Sequence, residues 1–281
     1  MSRVFVVTGS NQGIGKSIVK LLLQDNEKKI VYLTSRNKEN GEAAVKDLQD
    51  LGLQPAFHQL DITDRKSIET LRDYLVEKHG GLDVLVNNAG MAYKSSSNAP
   101  FSEQAEVTVD CNFFGTLAVC DILFPILKQN ARVAHVSSFT SEFAFNKLDS
   151  NRKEQFTDKN LKIEDLEKLL KEFVNDAKED KVTERGWAKS GYAMSKLGVA
   201  LMSKIQQRDL DTKFPEKNVL VNSCCPGIVN TNMTGGKYPN AITPDEGADT
   251  PTYLALLPRD VNEPKGCYVK SRKVSPFPPK Q

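Results

Sequence analysis

Three observations predict an α/β fold, a doubly wound parallel sheet. An apolar strand pattern near the N-terminus runs straight into a glycine-rich turn and then a helical pattern. Strand and helix patterns alternate along the rest of the chain, as a parallel sheet with helices on both faces requires. At 281 residues the chain is long enough to bury a full α/β core as one domain.

Arg3-Val4-Phe5-Val6-Val7 is short, apolar and β-branched, and reads as a buried first strand. It enters Thr8-Gly9-Ser10-Asn11-Gln12-Gly13-Ile14-Gly15, followed by helical spacing in Ile18, Val19, Leu21 and Leu22. Gly9 permits a tight turn, Gly13 close approach of a pyrophosphate, and Gly15 packing of helix on strand. Backbone N–H groups at the helix N-terminus then face the phosphates. The Gly-x3-Gly-x-Gly spacing differs from the commoner G-x-G-x-x-G, and a glycine cluster alone is often only a turn. Its place between strand and helix marks Gly9, Ser10, Asn11, Gln12, Gly13, Ile14 and Gly15 as a cofactor-binding segment.

Residues 30–34 read as the second strand and 41–51 as a helix. Residues 55–60 read as the third strand, ending at Asp61, and 67–78 as a helix. The fourth strand, 82–86, ends in Asn87-Asn88-Ala89-Gly90 and precedes a long helical pattern over 103–127. Residues 132–137 form the fifth strand, 192–208 a helix and 219–223 the sixth strand. A helix over 246–256 and a short strand at 267–269 finish the sheet. No internal repeat is present, and the proline-containing tail over 275–281 is expected to fray. The segment 140–186 exceeds an ordinary loop. Within it Ile163, Leu166, Leu170, Phe173 and Ala177 recur at helical spacing among charged residues, the pattern of an amphipathic helix. The expected organisation is a single domain, 1–281, with a helical insertion before Tyr192.

Net charge is +2 with acids and bases interspersed, which gives no footprint for nucleic acid or membrane. The first strand begins at once, so no leader is expected, and no apolar stretch reads as membrane-spanning. Cys111, Cys120, Cys224, Cys225 and Cys267 contain no C-x-x-C and are odd in number, against a disulfide framework or a zinc site. His58, His79 and His135 are scattered and read as structural, so no metal is expected. The expected compartment is the cytosol.

Tyr192 and Lys196 lie in Ser190-Gly191-Tyr192-Ala193-Met194-Ser195-Lys196. On a helix such i and i+4 residues share a face. A free phenol titrates near about pH 10, and a neighbouring cation brings that value towards working pH. Spacing alone is weak evidence, because Tyr74-Leu75-Val76-Glu77-Lys78 repeats it.

Thr8-Gly-x3-Gly-x-Gly15, Asp61-Ile62, Asn87-Asn88-Ala89-Gly90, Asn112, Ser137-Ser138, Tyr192-x3-Lys196 and Pro226-Gly227 follow one another in an order that resembles the short-chain dehydrogenases/reductases. The resemblance spans nearly the whole chain. More narrowly it is similar to the monomeric cytosolic carbonyl reductases that use NADPH. Phe57-His58-Gln59-Leu60-Asp61-Ile62, Gly81-Leu82-Asp83-Val84-Leu85-Val86-Asn87-Asn88-Ala89, Gln104-Ala105-Glu106-Val107-Thr108, Asn112-Phe113-Phe114-Gly115-Thr116 and Tyr253-Leu254-Ala255-Leu256-Leu257-Pro258 carry that match, with the long interval between Ser138 and Tyr192. In the family the active tyrosine follows a strand whose end bears a serine, which selects Tyr192 over Tyr74.

The resemblance implies a Rossmann fold and a catalytic set of Asn112, Ser138, Tyr192 and Lys196. Ser138 would stabilise the carbonyl oxygen and Tyr192 would protonate it. Lys196 would lower the Tyr192 pKa and hold ribose hydroxyls, and Asn112 would support a water reaching the lysine. The plainer alternatives are a strand-end serine, a helix kink at Asn112 and a solvated Lys196. By the same resemblance Asp61 and Ile62 meet adenine, and Asn88, Ala89 and Gly90 pass beside the ribose. Pro226, Gly227, Ile228 and Thr231 fold over the nicotinamide. The insertion covers the face that oligomeric relatives use for pairing, so a monomer is expected; a surface decoration is the alternative.

Cofactor choice rests on Thr34-Ser35-Arg36. An NAD-specific fold places an acid there for the ribose 2′-hydroxyl. Arg36 instead suits a 2′-phosphate and Ser35 removes the repulsion, so NADPH is expected. Gln12 stands where many relatives carry a second basic residue. The substrate is a small carbonyl compound, an aldehyde, ketone or quinone. Its pocket is expected to be apolar and lined by Phe139, Thr140, residues 91–93, Trp187 and residues after Pro226. Ile228 replaces the tryptophan usual in these reductases. Alternatives are oxidation of a secondary alcohol with NAD(P), and a non-catalytic NADPH-binding protein.

Overall fold

In the computed structural model, which describes residues 2–94, 96–236 and 238–279, one sheet runs through the molecule. Its strands are β1 (Arg3–Val7), β2 (Lys29–Ser35), β3 (Ala56–Gln59), β4 (Leu82–Asn87), β5 (Leu127–Val136), β6 (Leu220–Cys225), β7 (Tyr268–Lys270) and β8 (Lys273–Ser275). They stand in the order β3-β2-β1-β4-β5-β6-β7-β8. Every neighbouring pair is parallel except β7 with β8. The order reverses between β1 and β4, and in open α/β sheets the crevice at such a point, beyond the strands' carboxyl ends, takes the ligand.

Helices cover both faces. On one, α1 (Gly13–Gln24), α2 (Lys38–Gln49) and α10 (Pro244–Ala255) bury Ile18, Leu22, Ala44, Leu48 and Leu254 against Phe5, Val31 and Val84. On the other, α3 (Arg65–His79) and α5 (Thr116–Leu123) bury Ile68, Leu71, Leu75 and Ile122 against Val4, Val6 and Leu85. Alternate strand residues serve opposite layers, as the two-residue period of a pleated strand dictates. The helices start and stop where local chemistry says. Asn37 caps α2 by accepting from the Asn40 N–H at 2.7 Å, three residues before the expected start at 41. Asp64 caps α3, and Gly80, at φ 67°, ends it.

The helical pattern expected over 103–127 is α4 (Phe101–Val109), a π-helical turn (Asp110–Gly115), α5 and a 3-10 turn (Phe124–Ile126). This continuous Phe101–Ile126 run corrects the expectation about membrane-spanning segments. With a mean hydropathy of 1.5 over an 18-residue stretch, it is long and apolar enough to cross a bilayer by length and composition. Its apolarity has another cause in this fold, where Ala105, Val109, Phe113, Leu117 and Val119 are buried in the core.

The insertion is richer than one helix. It forms α6 (Thr140–Lys147), α7 (Ser150–Thr157) and α8 (Ile163–Lys178) before α9 (Gly191–Lys213). Leu166, Leu170, Phe173 and Ala177 of α8 pack with Ala105, Val109 and Phe113 and with Met194, Leu197 and Leu201 of α9. At about 1.5–3 kcal/mol for each large apolar side chain buried, this contact fixes the insertion firmly to α4 and α9. Trp187, expected in the substrate pocket, belongs to this knot instead. It is 3% exposed, donates from Nε1 to Asp176 at 2.7 Å, and lies under the Arg152 guanidinium at 3.8 Å. Of the tail expected to fray, Ser275 pairs with Tyr268 of β7, and the Phe277 ring lies tilted against that of Tyr268 at 4.7 Å. Lys280 and Gln281 lie outside the described residues.

Candidate active site

At the carboxyl end of β1 the chain turns sharply. Gly9 has φ +58°, and a Cβ there would stand 2.8 Å from Ala89 Cα. A Cβ on Gly15 would stand 2.5 Å from Asn88 Nδ2 and 2.6 Å from the Gly9 carbonyl oxygen. Gly15 thus makes room for Asn88 rather than for a strand. Asn88 fills that room, donating to the carbonyls of Thr8 and Gly9 at 3.0 Å each. The backbone N–H groups of Asn88 and Ala89 both donate to Thr8 Oγ1, at 3.0 and 2.9 Å. The β4 end therefore props the glycine turn, and Gly13 and Ile14 open α1 with N–H groups unpaired inside the helix, a fit for a pyrophosphate. Ser10 is a correction. It is fully buried, its hydroxyl donates to Val7 O at 2.8 Å and accepts from Thr34 N at 2.9 Å, and its N–H goes to Thr34 O. It joins β1 to β2 through both its hydroxyl and its N–H. Asn11 is half-buried and Gln12 exposed, and Gln12 Oε1 accepts from Asn232 Nδ2 at 2.9 Å across the mouth of the turn.

At the end of β2, Arg36 is exposed and Ser35 buried. Among the described residues the Arg36 guanidinium has no ion-pair partner, whereas its carbonyl is fixed by Gln59 Nε2 at 2.8 Å. No carboxylate occupies this strand end, which fits a phosphate on the ribose. Asp61 spends Oδ1 on the N–H and hydroxyl of Thr63, at 2.9 and 2.7 Å. Ile62, 7% exposed, lies under the π-helical turn, where a Cβ on Gly115 would come within 3.1 Å of it.

The four residues expected to do chemistry converge beyond β4 and β5. Lys196 is 5% exposed and its ammonium donates to Val136 O at 2.8 Å. A Cβ on Gly90 would stand 3.0 Å from Asn112 Oδ1 and 3.5 Å from Lys196 Nζ, so the Gly90 backbone, Asn112 and the lysine share one corner. Asn112, fully buried in the π-helical turn, accepts from Met91 N at 2.7 Å and donates to Met91 O at 2.9 Å and Ser195 Oγ at 3.0 Å. The helix is distorted at Asn112, as the plainer reading has it, and its side chain ties the loop after β4 to α9. Ser138 is 6% exposed at the head of α6, with its hydroxyl beside the half-buried Tyr192 phenol. Ser137, given no role by the sequence beyond its place in the motif, donates to Lys196 O at 2.8 Å and locks α9 against β5. Its only signal was the doubled serine at a strand end.

The electrostatics correct one expectation. Burial pushes the Tyr192 phenol up to about 12, opposed by the Ser138 hydrogen bond, and Lys196 is not among the causes. The ammonium lies 5.9 Å from the Tyr192 ring centre and points at a carbonyl. Burial instead lowers Lys196 to about 8. Tyr192 is therefore a protonated phenol at neutral pH, and burial brings the Lys196 ammonium closer to neutrality.

Beyond β6, Pro226 and Gly227, at φ +85°, lead to Ile228, which is 38% exposed. The Ile228 carbonyl accepts from Ile242 N at 2.8 Å. Thr231 caps a small turn, its N–H donating to Thr234 Oγ1 at 2.9 Å, and its methyl would lie 3.3 Å from a Cβ on Gly13. A cavity of about 590 Å³ opens between Lys94 and this loop, with Asn230, Thr231, Asn232, Gly235 and Gly236 as its other walls. Phe139, 42% exposed, and Ile228 add exposed apolar surface at the ends of β5 and β6. Among the described residues no three His, Cys, Asp or Glu side chains gather as metal ligands.

Residues 3–149 match the short chain dehydrogenase family model. The chain is 45% identical over 271 residues to carbonyl reductase (NADPH) 1 from Homo sapiens, covering 96% of this chain and 97% of that one. It is 46% identical over 273 residues to human carbonyl reductase (NADPH) 3, at 97% and 98% coverage. Among solved structures, salutaridine reductase from Papaver somniferum superposes with a TM-score of 0.81 at 29% identity, over 95% of this chain and 99% of that one. Turn, strand-end serine and helix-borne tyrosine and lysine thus meet in one cleft, and the chain belongs to the short-chain dehydrogenase/reductase family.

Proposed function

We propose that the protein reduces aldehydes, ketones or quinones to alcohols with NADPH, Tyr192 giving the proton. The observation that carries this reading is the convergence of Ser138, Tyr192, Lys196 and Asn112 at the carboxyl ends of β4 and β5, beside a glycine turn fit for a pyrophosphate. The carbonyl reductase (NADPH) relatives support it.

Bound NADPH supplies the hydride that adds to the carbonyl carbon. As negative charge grows on the oxygen, the Ser138 hydroxyl donates to it and the Tyr192 phenol transfers its proton, leaving the neutral alcohol. The phenolate formed is returned to phenol through Lys196, whose pKa of about 8 suits proton exchange near neutrality. Asn112 holds the Met91 backbone and Ser195 in place around that lysine. Gly9, Gly13 and Gly15 shape the phosphate turn, Arg36 would hold the 2′-phosphate, and Asp61 and Ile62 would border the adenine. Asn88, Ala89 and Gly90 would line the ribose, and Pro226, Gly227, Ile228 and Thr231 would hold the nicotinamide.

Oxidation of a secondary alcohol with NAD is less well supported, because Ser35-Arg36 offers no carboxylate to a 2′-hydroxyl. A monomer in the cytosol completes the reading: α8 occupies the surface of α4 that could pair with a second copy. Sedimentation at micromolar concentration should give one 31.2 kDa species, and a stable dimer would contradict this. The function itself is tested by following NADPH and NADH oxidation over a panel of quinones, aromatic ketones and aliphatic aldehydes. Turnover of at least one class with preference for NADPH is expected; no turnover despite NADPH binding would favour a non-catalytic protein.

A further inference from the structure

The carbonyl of Ser138 is held by three donors. It accepts from the Ser141 N–H at 3.0 Å, from Ser141 Oγ at 2.6 Å, and from the Tyr268 hydroxyl at 2.9 Å. The two Ser141 donors sit on the same helical turn and move with Ser138. Tyr268 comes from β7, 130 residues away, and is the donor that ties this peptide to a separate element.

The tie is built rather than incidental. Tyr268 is 3% exposed, and its ring packs with Ala200, Cys225 and Phe277. Phenylalanine would fill that apolar space, and burying a hydroxyl is costly unless it is hydrogen-bonded. The residue's backbone is fixed from both sides, opposite Ser223 of β6 and Ser275 of β8. Two residues on, Lys270 pairs with Glu142 of α6 at 2.8 Å, a second link between this hairpin and the helix that Ser138 leads. Burial, helped by Cys225, pushes the Tyr268 phenol far above its ordinary value, so it remains a hydrogen-bond donor throughout the working pH range.

We propose that Tyr268 is a positioning residue: its hydroxyl anchors the Ser138 peptide to the last strands of the sheet and so sets where the Ser138 hydroxyl stands relative to Tyr192. The proposal rests on the reading of Ser138 as the hydroxyl that binds the developing oxyanion. Without the anchor the carbonyl keeps only donors that travel with it, and the serine loses its fixed reference. Catalytic geometry is sensitive to such loosening, since a misplacement of about 1 Å can cost roughly a hundredfold.

The test uses the full chain, NADPH and 4-nitrobenzaldehyde as probe. Tyr268→Phe removes only the hydroxyl and should lower kcat by roughly tenfold, with NADPH affinity and melting temperature nearly unchanged. Ser138→Ala should lower kcat further, and adding Tyr268→Phe to it should cost nothing more, because the anchor then has nothing to place. A purely structural tyrosine would instead reduce activity by the same factor in both backgrounds, and that result would overturn the proposal, as would full kcat in Tyr268→Phe. If Tyr268→Phe does not fold, Tyr268→Met decides in its place: it also removes the hydroxyl, fills the space with an adaptable apolar chain, and should show the same dependence on Ser138. Full turnover in Ser138→Ala would instead overturn the reading of the site on which the proposal stands.

Discussion

The chain carries the same tyrosine–lysine spacing twice, and the two copies share nothing else. Tyr74 lies on α3, where its hydroxyl accepts from Tyr32 at 3.2 Å and its ring meets His58 and His79. Lys78, four residues on, is exposed and pairs with Glu77 at 3.3 Å. Tyr192 stands on α9 with the Ser138 hydroxyl beside its phenol, and Lys196 is buried with its ammonium on the β5 carbonyl of Val136. Helical spacing puts two side chains on one face. It does not desolvate a lysine, supply a hydroxyl or open a cleft. Those come from strand ends more than fifty residues away in sequence, so the chemistry is a property of the sheet.

The sharpest contrast is expected from the tyrosines. Tyr192→Phe keeps the ring and should lower carbonyl-reducing turnover by roughly 10²–10⁴, the worth of a positioned acid; Tyr74→Phe should leave it unchanged. The lysines should differ next. Lys196→Ala removes a buried cation that exchanges protons and borders the cofactor, so steady-state kinetics and NADPH fluorescence titration should both show losses. Lys78→Ala should move neither. Arg36→Ala should weaken NADPH by roughly ten- to a hundredfold, the range for hydrogen bonds to charged groups, and leave NADH nearly untouched. Equal losses for the two cofactors would remove Arg36 from the 2′-phosphate.

Each region also holds a histidine, and these sharpen the comparison through pH. His79, beside Tyr74, is lowered by partial burial. His135, between Asn87 and Gln206 behind the active cleft, is pushed down by full burial to about 4 from an ordinary 6.5. A histidine held neutral in the fold contributes stability that is present above pH 6.5 and lost as pH falls towards 4, because the unfolded chain then binds the extra proton. The loss should reach roughly 3 kcal/mol. Urea unfolding of His135→Gln between pH 7 and pH 4 should show a flatter dependence than the parent chain; an unchanged dependence would contradict the assignment.

The sheet was legible because buried parallel strands are continuous apolar runs, and the motifs at their ends were legible because they break that pattern. The start of β5 was not: Lys128, Gln129 and Asn130 are polar, yet Leu127 pairs with Leu82 across a register shift. α6 and α7 escaped notice because their burial is against α8 and α9 rather than along a regular stripe. The strand over 273–275 depends on pairing with β7, which composition does not encode. In the site, residue types were readable and directions were not. Sequence placed Ser10 at the phosphates, but its hydroxyl turns inward to Val7 and Thr34. It set Lys196 beside Tyr192, but the ammonium prefers the Val136 carbonyl. Both outcomes follow from buried polar groups seeking partners, and the partners lie on distant strands.

The central claim, that environment and not spacing makes Tyr192 the proton donor, is tested most directly in a single turnover. NADPH is bound first to the parent chain, to Tyr192→Phe and to Tyr74→Phe, a carbonyl substrate is added in excess, and cofactor absorbance is followed by stopped flow. The account predicts that all three bind NADPH alike and that only Tyr192→Phe is slowed, by at least about a hundredfold. Oxidation of NADPH by Tyr192→Phe at the parental rate, or a comparable slowing in Tyr74→Phe, would contradict it.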